Sequence, residues 1–174
     1  QKIIGKHKLT DTACCSVVPA ATKLAKALCP APFSTLTHAN CGIDLRYPKP
    51  ATIGPDRLAN ARAALDEFGG PVLVVDFGTA VTFDIIDGSG AYVGGVIAPG
   101  LSAMTDYLHE KTALLPAIRL KDHRTAIGKT TVQAMQIGAV HGYRGLVQGL
   151  IKEIRESLGT KKLSVIATGG CARL

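Results

Sequence analysis

The apolar run Val72-Leu73-Val74-Val75 constrains the fold of this chain more than any other feature of its sequence. It is continuous and rich in β-branched residues, which is typical of a strand buried on both faces of its sheet. A strand with one wet face would alternate apolar and polar residues instead. The run therefore predicts an interior strand, around which the other elements have to be placed.

Further strands are predicted on both sides of this run. Two follow it directly, over residues 81–86 and 91–97, and Asp87-Gly88-Ser89-Gly90 between them is a typical hairpin turn. Shorter apolar runs predict strands over residues 13–18 and 163–167.

Helices are predicted over residues 20–28, 55–68, 101–109 and 131–158. Helices and strands are therefore mixed along the chain, which predicts an α/β fold with a mixed sheet. The apolar face of the second helix is predicted to consist of Leu58, Ala61, Leu65 and Phe68.

The last of these helices carries a series of glycines, and each glycine inside a helix costs about 1 kcal/mol relative to alanine. Such a series predicts that another helix approaches closely, either within the chain or across a dimer. The glycines are Gly138, Gly142, Gly145 and Gly149.

Composition and charge exclude several classes of protein. The chain is 47% hydrophobic and 19% charged, which excludes disorder, and no apolar run approaches the roughly 18 residues of a membrane span. The net charge of +7 favours an anionic partner. Because the basic residues are dispersed and aromatic residues make up only 5%, a nucleotide or another small anion is favoured over nucleic acid.

The cysteines and the two ends of the chain suggest further expectations. The five cysteines contain no CxxC pair and no signal peptide precedes them, so the cytoplasm is the expected compartment. The chain opens at Gln1 in what looks like a strand, and it stops at Leu174 just after a Gly-Gly turn. We therefore expect that residues are missing at both ends.

Asp76-Phe77-Gly78-Thr79 leaves the interior strand and enters a tight turn. Gly78 would let backbone amides approach a phosphate, Thr79 adds a hydroxyl donor, and Asp76 could hold a cation. The alternative is an ordinary hairpin turn that Asp76 caps.

Gly54-Pro55-Asp56-Arg57 places an acid and a base at the beginning of a helix, where anions bind readily. Asp56 could accept a proton from an attacking hydroxyl while Arg57 binds an anionic group of the same substrate. The alternative is that Asp56 only complements the helix dipole.

Gly128-Lys129-Thr130 is not a P-loop, because the position that needs the first glycine is His123. Thr130 and Thr131 instead suit the N-cap of the long helix.

In their order along the chain, these stretches resemble the type III pantothenate kinases, and the resemblance covers nearly the whole chain. The matching pieces are Cys15 to Pro19, Ile53 to Arg57 with Asn60-Ala61, Val75 to Asp84, Tyr92 to Gly100, Thr112 to Pro116, Ile127 to Thr131, and Thr168 to Gly170.

The resemblance implies an actin-like fold of two ribonuclease-H-like halves, here residues 1–57 and 58–174, the second incomplete at its end. It also implies a homodimer that phosphorylates pantothenate with ATP and Mg²⁺, without nucleic acid or membrane. The Asp-x-Gly-Asn-Thr phosphate loop with which family members begin is not matched here, in keeping with a missing front.

The resemblance also assigns roles to individual residues. Gly54, Pro55, Asp56 and Arg57 would contact pantothenate, with Asp56 as the catalytic base, and Thr131 would reach pantothenate from the partner subunit. Asp76 would bind a monovalent cation (K⁺ or NH₄⁺), Thr79 would contact ATP, and Gly169-Gly170 would form the turn on the adenosine side.

Two other functions fit the same fold. One is a non-enzymatic regulatory or accessory protein, against which the presence of Asp56, Arg57, Asp76 and Thr79 argues. The other is a kinase for another small hydroxy acid.

Overall fold

The structure is a computed structural model that describes residues 10–29 and 32–173. The strand expected at Gln1 lies outside these residues. The elements are β1 (Thr12–Cys14), α1 (Pro19–Leu28), β2 (Phe33–Thr35), a short 3₁₀ turn (Pro50–Thr52), α2 (Pro55–Phe68), β3 (Val72–Phe77), β4 (Ala80–Ile86), β5 (Tyr92–Pro99), α3 (Leu101–Lys111), α4 (Thr131–Ser157) and β6 (Ser164–Gly169).

The larger sheet has four strands in the order β5-β4-β3-β6. Short turns join β3 to β4 and β4 to β5, so each of these pairs is antiparallel. The end of β6 at Gly169 lies against Phe77 at the end of β3, so these two strands run in the same direction. The predicted α/β fold with a mixed sheet is confirmed.

The smaller sheet pairs β1 with β2 in parallel, from Thr12 beside Phe33 to Cys14 beside Thr35. Parallel strands need a crossover connection, which α1 provides. The predicted strand over 13–18 is thus wrong in its extent. It ends early because the Ser16 hydroxyl accepts the N–H of Val18 at 3.1 Å, a local turn that replaces strand pairing.

The interior strand is confirmed, since Val72 to Val75 are all at most 2% exposed. Helix α2 begins and ends where predicted. Its buried face consists of Leu58, Ala61 and Ala64, whereas Phe68, predicted in the core, is 48% exposed. Phe68 is the last residue of the helix, directly before Gly69, whose φ is +69° and ends the helical path.

The chain divides into two compact units. The first comprises residues 1–72 and 84–94, and the second comprises residues 73–83 and 95–174. The boundary predicted between residues 57 and 58 stays a prediction. In the first unit, Ile53, Leu58, Ala61, Asp84 and Tyr92 are buried, and in the second, Leu101, Met135, Ile137, Val140 and Tyr143 are buried.

The glycines of α4 do not serve close packing within the part of the chain that the structure describes. There, apart from the helix's own backbone and the chain neighbours, no atom lies within 4 Å of a Cβ built at Gly138, Gly142, Gly145 or Gly149. Of the two predicted reasons for the series, close packing within the chain is not found among the described residues, and contact with a second copy stays a prediction. Among the described helices, none is both long and apolar enough to cross a membrane.

Candidate functional site

The first group of site residues lies where α2 begins. Pro55 occupies the first helical position, where its missing N–H costs nothing and its fixed φ suits a helix. Asp56 follows in the first turn and is exposed, and its carboxylate accepts the backbone N–H of Arg57 at 3.0 Å. A Cβ on Gly54 would collide with the Asp56 carboxylate, so glycine at this position leaves room for that side chain.

Arg57, the next residue, is tied to a buried acid in the same unit. Its Nε and Nη2 atoms both lie 2.7 Å from Oδ1 of Asp84, a residue of β4 that is 0% exposed. The hydroxyl of Tyr92 in β5 donates to the same Oδ1 at 2.8 Å. Three donors therefore converge on one carboxylate oxygen.

The surroundings of Arg57 and Tyr92 raise the pKa values of both side chains. Burial is the largest single influence on the pKa of Arg57 and lowers it, but the charge and the hydrogen bond of Asp84, with smaller contributions from Tyr92 and Tyr47, together outweigh burial and raise the pKa. Burial, together with the negative charge of Asp84, raises the pKa of Tyr92. Arg57 thus stays a cation and Tyr92 stays a hydrogen-bond donor at neutral pH.

The second group lies in the second unit, at the edge where β3 and β6 both end. Asp76 is half-buried there. A Cβ built on Gly169, which has a φ of +91°, would lie 2.6 Å from Oδ1 of Asp76 and 2.6 Å from the carbonyl oxygen of Phe77. Only glycine lets β6 come this close, so the structure brings Asp76 together with the predicted Gly169-Gly170 turn.

The turn after Asp76 packs against the beginning of α3. The N–H of Gly100 donates to the carbonyl of Thr79 at 3.0 Å, and a Cβ on Gly100 would lie 2.5 Å from the carbonyl of Gly78. The N–H of Gly78 donates across the turn to Ala80 at 3.1 Å. Gly78 has no positive φ, and it is exposed like Thr79 beside it. Neither backbone conformation nor packing therefore requires a glycine at position 78.

Helix α4 is capped as predicted, by Thr130. Its hydroxyl accepts the N–H of Gln133 at 3.1 Å, and the Gln133 side chain in turn accepts the N–H of Lys129 at 2.9 Å. Thr131 is the first helical residue and is exposed.

A cavity of about 180 Å³ lies directly after the Gly169-Gly170 turn. Its lining is mostly apolar, with Arg144 and Gln148 as polar members. The lining includes Phe77, Tyr143, Val147, Cys171 and Ala172.

Sequence reasoning missed Asp84 and Tyr92. The available signal was an aspartate between Phe83 and Ile85 in a strand that is apolar apart from Thr82, because such an acid has to be paired when it is buried. Among residues 10–29 and 32–173 there is no cluster of three or more His, Cys, Asp or Glu side chains that could hold a metal ion.

The sequence comparisons with known proteins agree on one family. The sequence model of the type III pantothenate kinases matches residues 1–153. Among curated relatives named type III pantothenate kinase, that of Methylacidiphilum infernorum is 48% identical over 100% of this chain and 65% of its own length. That of Akkermansia muciniphila is 50% identical over 92% of this chain and 66% of its own length.

The chain thus spans about two thirds of the length of these relatives. A crystal structure of a Campylobacter jejuni protein, described as a Baf family transcriptional activator, has a TM-score of 0.53 at 22% identity. It covers 91% of this chain and 68% of that one, and shows the fold alone. With the family match and the curated relatives together, the chain belongs to the type III pantothenate kinase family.

Proposed function

We propose that this chain transfers the γ-phosphoryl group of ATP to the primary hydroxyl of pantothenate, which yields 4′-phosphopantothenate and ADP in the first step of coenzyme A biosynthesis. One observation carries the proposal: an exposed carboxylate, Asp56, stands in the first turn of α2 beside a fixed cation, Arg57, in a chain of this family. A hydroxy acid could give the proton of its hydroxyl to Asp56 and pair its carboxylate with Arg57.

Asp56 is the proposed catalytic base. Phosphoryl transfer has a loose transition state, so catalysis consists mostly of positioning and charge neutralisation. Asp56 accepts a hydrogen bond from the substrate hydroxyl and takes its proton late, as the new O–P bond forms and ADP leaves. Gly54 and Pro55 complete the contact with pantothenate, and Gly54 leaves space for the carboxylate to swing toward the hydroxyl.

Arg57 is the proposed partner of the substrate's carboxylate. Its raised pKa keeps it positively charged, and its side chain is only 16% exposed, so the charge acts in a poorly solvated place.

Asp76 and Thr79 are the proposed contacts with the nucleotide side. The Asp76 carboxylate and the Phe77 carbonyl lie together against Gly169, and oxygen donors of this kind suit K⁺ and Mg²⁺. Asp76 would hold the monovalent cation (K⁺ or NH₄⁺), and these ions with Mg²⁺ would neutralise phosphate charge. Thr79 would donate its hydroxyl to ATP, and the cavity after Gly169-Gly170 would take the adenosine part.

The finer architecture is part of the proposal as well. We assign the fold to two ribonuclease-H-like halves and the assembly to a homodimer. Exposed apolar side chains near the beginning of α4 support a second copy, since Ile127 is 74% and Val132 is 42% exposed. Thr131 lies between these two residues and would reach pantothenate bound to the partner.

The test is ADP release by the purified chain with Mg²⁺, ATP and K⁺, measured with and without pantothenate. We expect release that depends on pantothenate and rises with its concentration to saturation. ADP release with glycerate or another small hydroxy acid but not with pantothenate would contradict the assigned substrate. No release with any hydroxy acid, by this chain and again by the protein from its full reading frame, would contradict the kinase activity and favour an accessory role.

A further inference from the structure

The buried contact between Asp84 and Arg57 is unusual for a pair that only stabilises a fold. Asp84 is 0% exposed, and removing two charges from water costs about as much as their attraction returns. A buried ion pair is therefore weak evidence for stability, and residues of similar volume without charge would serve the core as well. This points to a role in placing the Arg57 guanidinium.

The geometry leaves part of the guanidinium available. Arg57 uses its Nε and Nη2 atoms, which form one edge of the planar group, to bind Asp84 Oδ1. A guanidinium has five N–H donors in a rigid fork, so its outer edge, formed by Nη1 and the second N–H of Nη2, keeps two parallel donors in a fixed orientation. Such an edge matches the two oxygens of a carboxylate.

Tyr92 fixes the acid in turn. Its hydroxyl donates to Asp84 at 2.8 Å, and its ring is only 1% exposed. Two backbone hydrogen bonds fix its main chain: its N–H donates to the carbonyl of Asp44 at 2.8 Å, and its carbonyl accepts the N–H of Arg46 at 2.9 Å. The ring also meets Tyr47 edge-to-face, with the centroids 6.3 Å apart. Hence Tyr92, Asp84 and Arg57 form a chain of contacts that ends at the first turn of α2.

We propose that Asp84 and Tyr92 are positioning residues, which hold the Arg57 guanidinium so that its outer edge selects substrates with a carboxylate. This inference rests on the proposed function, since it specifies how the same site recognises the anionic end of pantothenate. It adds a specificity rule: the site discriminates against the neutral analogue pantothenol, in which a hydroxymethyl group replaces the carboxylate.

The test compares the dissociation constants of pantothenate and pantothenol by calorimetry for the wild-type chain and two variants. Tyr92→Phe removes one hydrogen bond to Asp84 and keeps the ring packing. Asp84→Asn removes the buried charge with little change in shape. We expect the affinity for pantothenate to fall several-fold in the first and about tenfold or more in the second. The affinity for pantothenol should stay within about twofold in both.

Asp87→Asn is the matched control, because Asp87 also pairs with an arginine, Arg46, but at the surface of the same unit. It should leave both affinities unchanged. In an Arg57→Gln background, Asp84→Asn and Tyr92→Phe should have no further effect on pantothenate binding, because the group that they position is gone.

Three results would overturn the inference. Equal losses of affinity for pantothenate and pantothenol would assign Asp84 to the fold alone, and unchanged affinities in both variants would deny it any role. A full effect of Asp84→Asn in the Arg57→Gln background would show that it does not act through Arg57. If the wild-type chain binds neither compound, the proposed function itself fails, whereas binding with unchanged selectivity refutes only the positioning role.

Discussion

Replacing Gly169 by alanine tests how the second group of site residues is built. Gly169 has a φ of +91°, and an added Cβ would lie 2.6 Å from both Asp76 Oδ1 and the carbonyl oxygen of Phe77. Positive φ costs a residue with a Cβ about 1–2 kcal/mol, and overpacking of this kind costs about 1–3 kcal/mol. We expect Gly169→Ala to lower the free energy of unfolding by about 2–5 kcal/mol and to displace the Asp76 carboxylate.

Gly170→Ala is its matched control. Among the residues that the structure describes, no atom other than those of the two chain neighbours lies within 4 Å of a Cβ built on Gly170, and its φ is not positive. A surface change of this kind should stay within about 0.5 kcal/mol. Urea unfolding of both variants, followed by circular dichroism, measures the difference. Equal stability of the two variants would refute the reasoning that β6 depends on glycine to approach Asp76.

Four further predictions concern single side chains. Leu58→Ala empties a position that is 0% exposed and should cost about 2–5 kcal/mol in urea unfolding. Thr130→Ala removes the cap of α4 and should lower the free energy of unfolding by about 1 kcal/mol, whereas Thr131→Ala should lower it clearly less. Equal losses of stability in the two variants would contradict the assignment of Thr130 as the cap. Gly78→Ala should leave the unfolding free energy unchanged but weaken ATP binding in calorimetry, since packing does not require this glycine; unchanged ATP affinity would contradict its proposed role. The hydrogen bond from Ser89, with smaller contributions from Ala91 and Arg46, lowers the pKa of Asp87 below its ordinary value of 3.8. The ionised Asp87 carboxylate therefore stabilises the fold above pH 3.8, and this stabilisation is lost as the pH falls through the folded-state pKa. Acid unfolding of Asp87→Asn should lack this pH-dependent loss, and an acid unfolding profile identical to that of wild type would contradict the prediction.

The sequence predicted those structural features that depend on residues close to one another along the chain. The interior strand follows from the continuous apolar run at 72–75, and the beginning of α2 follows from Pro55 with Asp56 behind it. The cap at Thr130 follows from a hydroxyl placed just before a helical pattern. In each case, the residues that decide the structure lie within a few positions of one another.

What the sequence did not predict depends on pairing between distant segments. The contact of Arg57 with Asp84 requires β4 to be placed beside the first turn of α2, and no local pattern encodes that placement. The approach of Gly169 to Asp76 requires β6 to lie beside β3, which is a property of the strand order. Phe68 has an apolar side chain and helical spacing, yet it is 48% exposed at the end of α2.

Phosphorus NMR of phosphoryl transfer to pantothenate shows whether Asp56 is the catalytic base, when wild type is compared with Asp56→Asn and Asp66→Asn. Both aspartates are exposed on α2, but Asp66 lies near the end of the helix and pairs with Arg62 one turn before it. We predict a new phosphomonoester signal with wild type and Asp66→Asn, and none with Asp56→Asn, while all three chains unfold at similar urea concentrations. Formation of the phosphomonoester by Asp56→Asn at the wild-type rate would contradict the account.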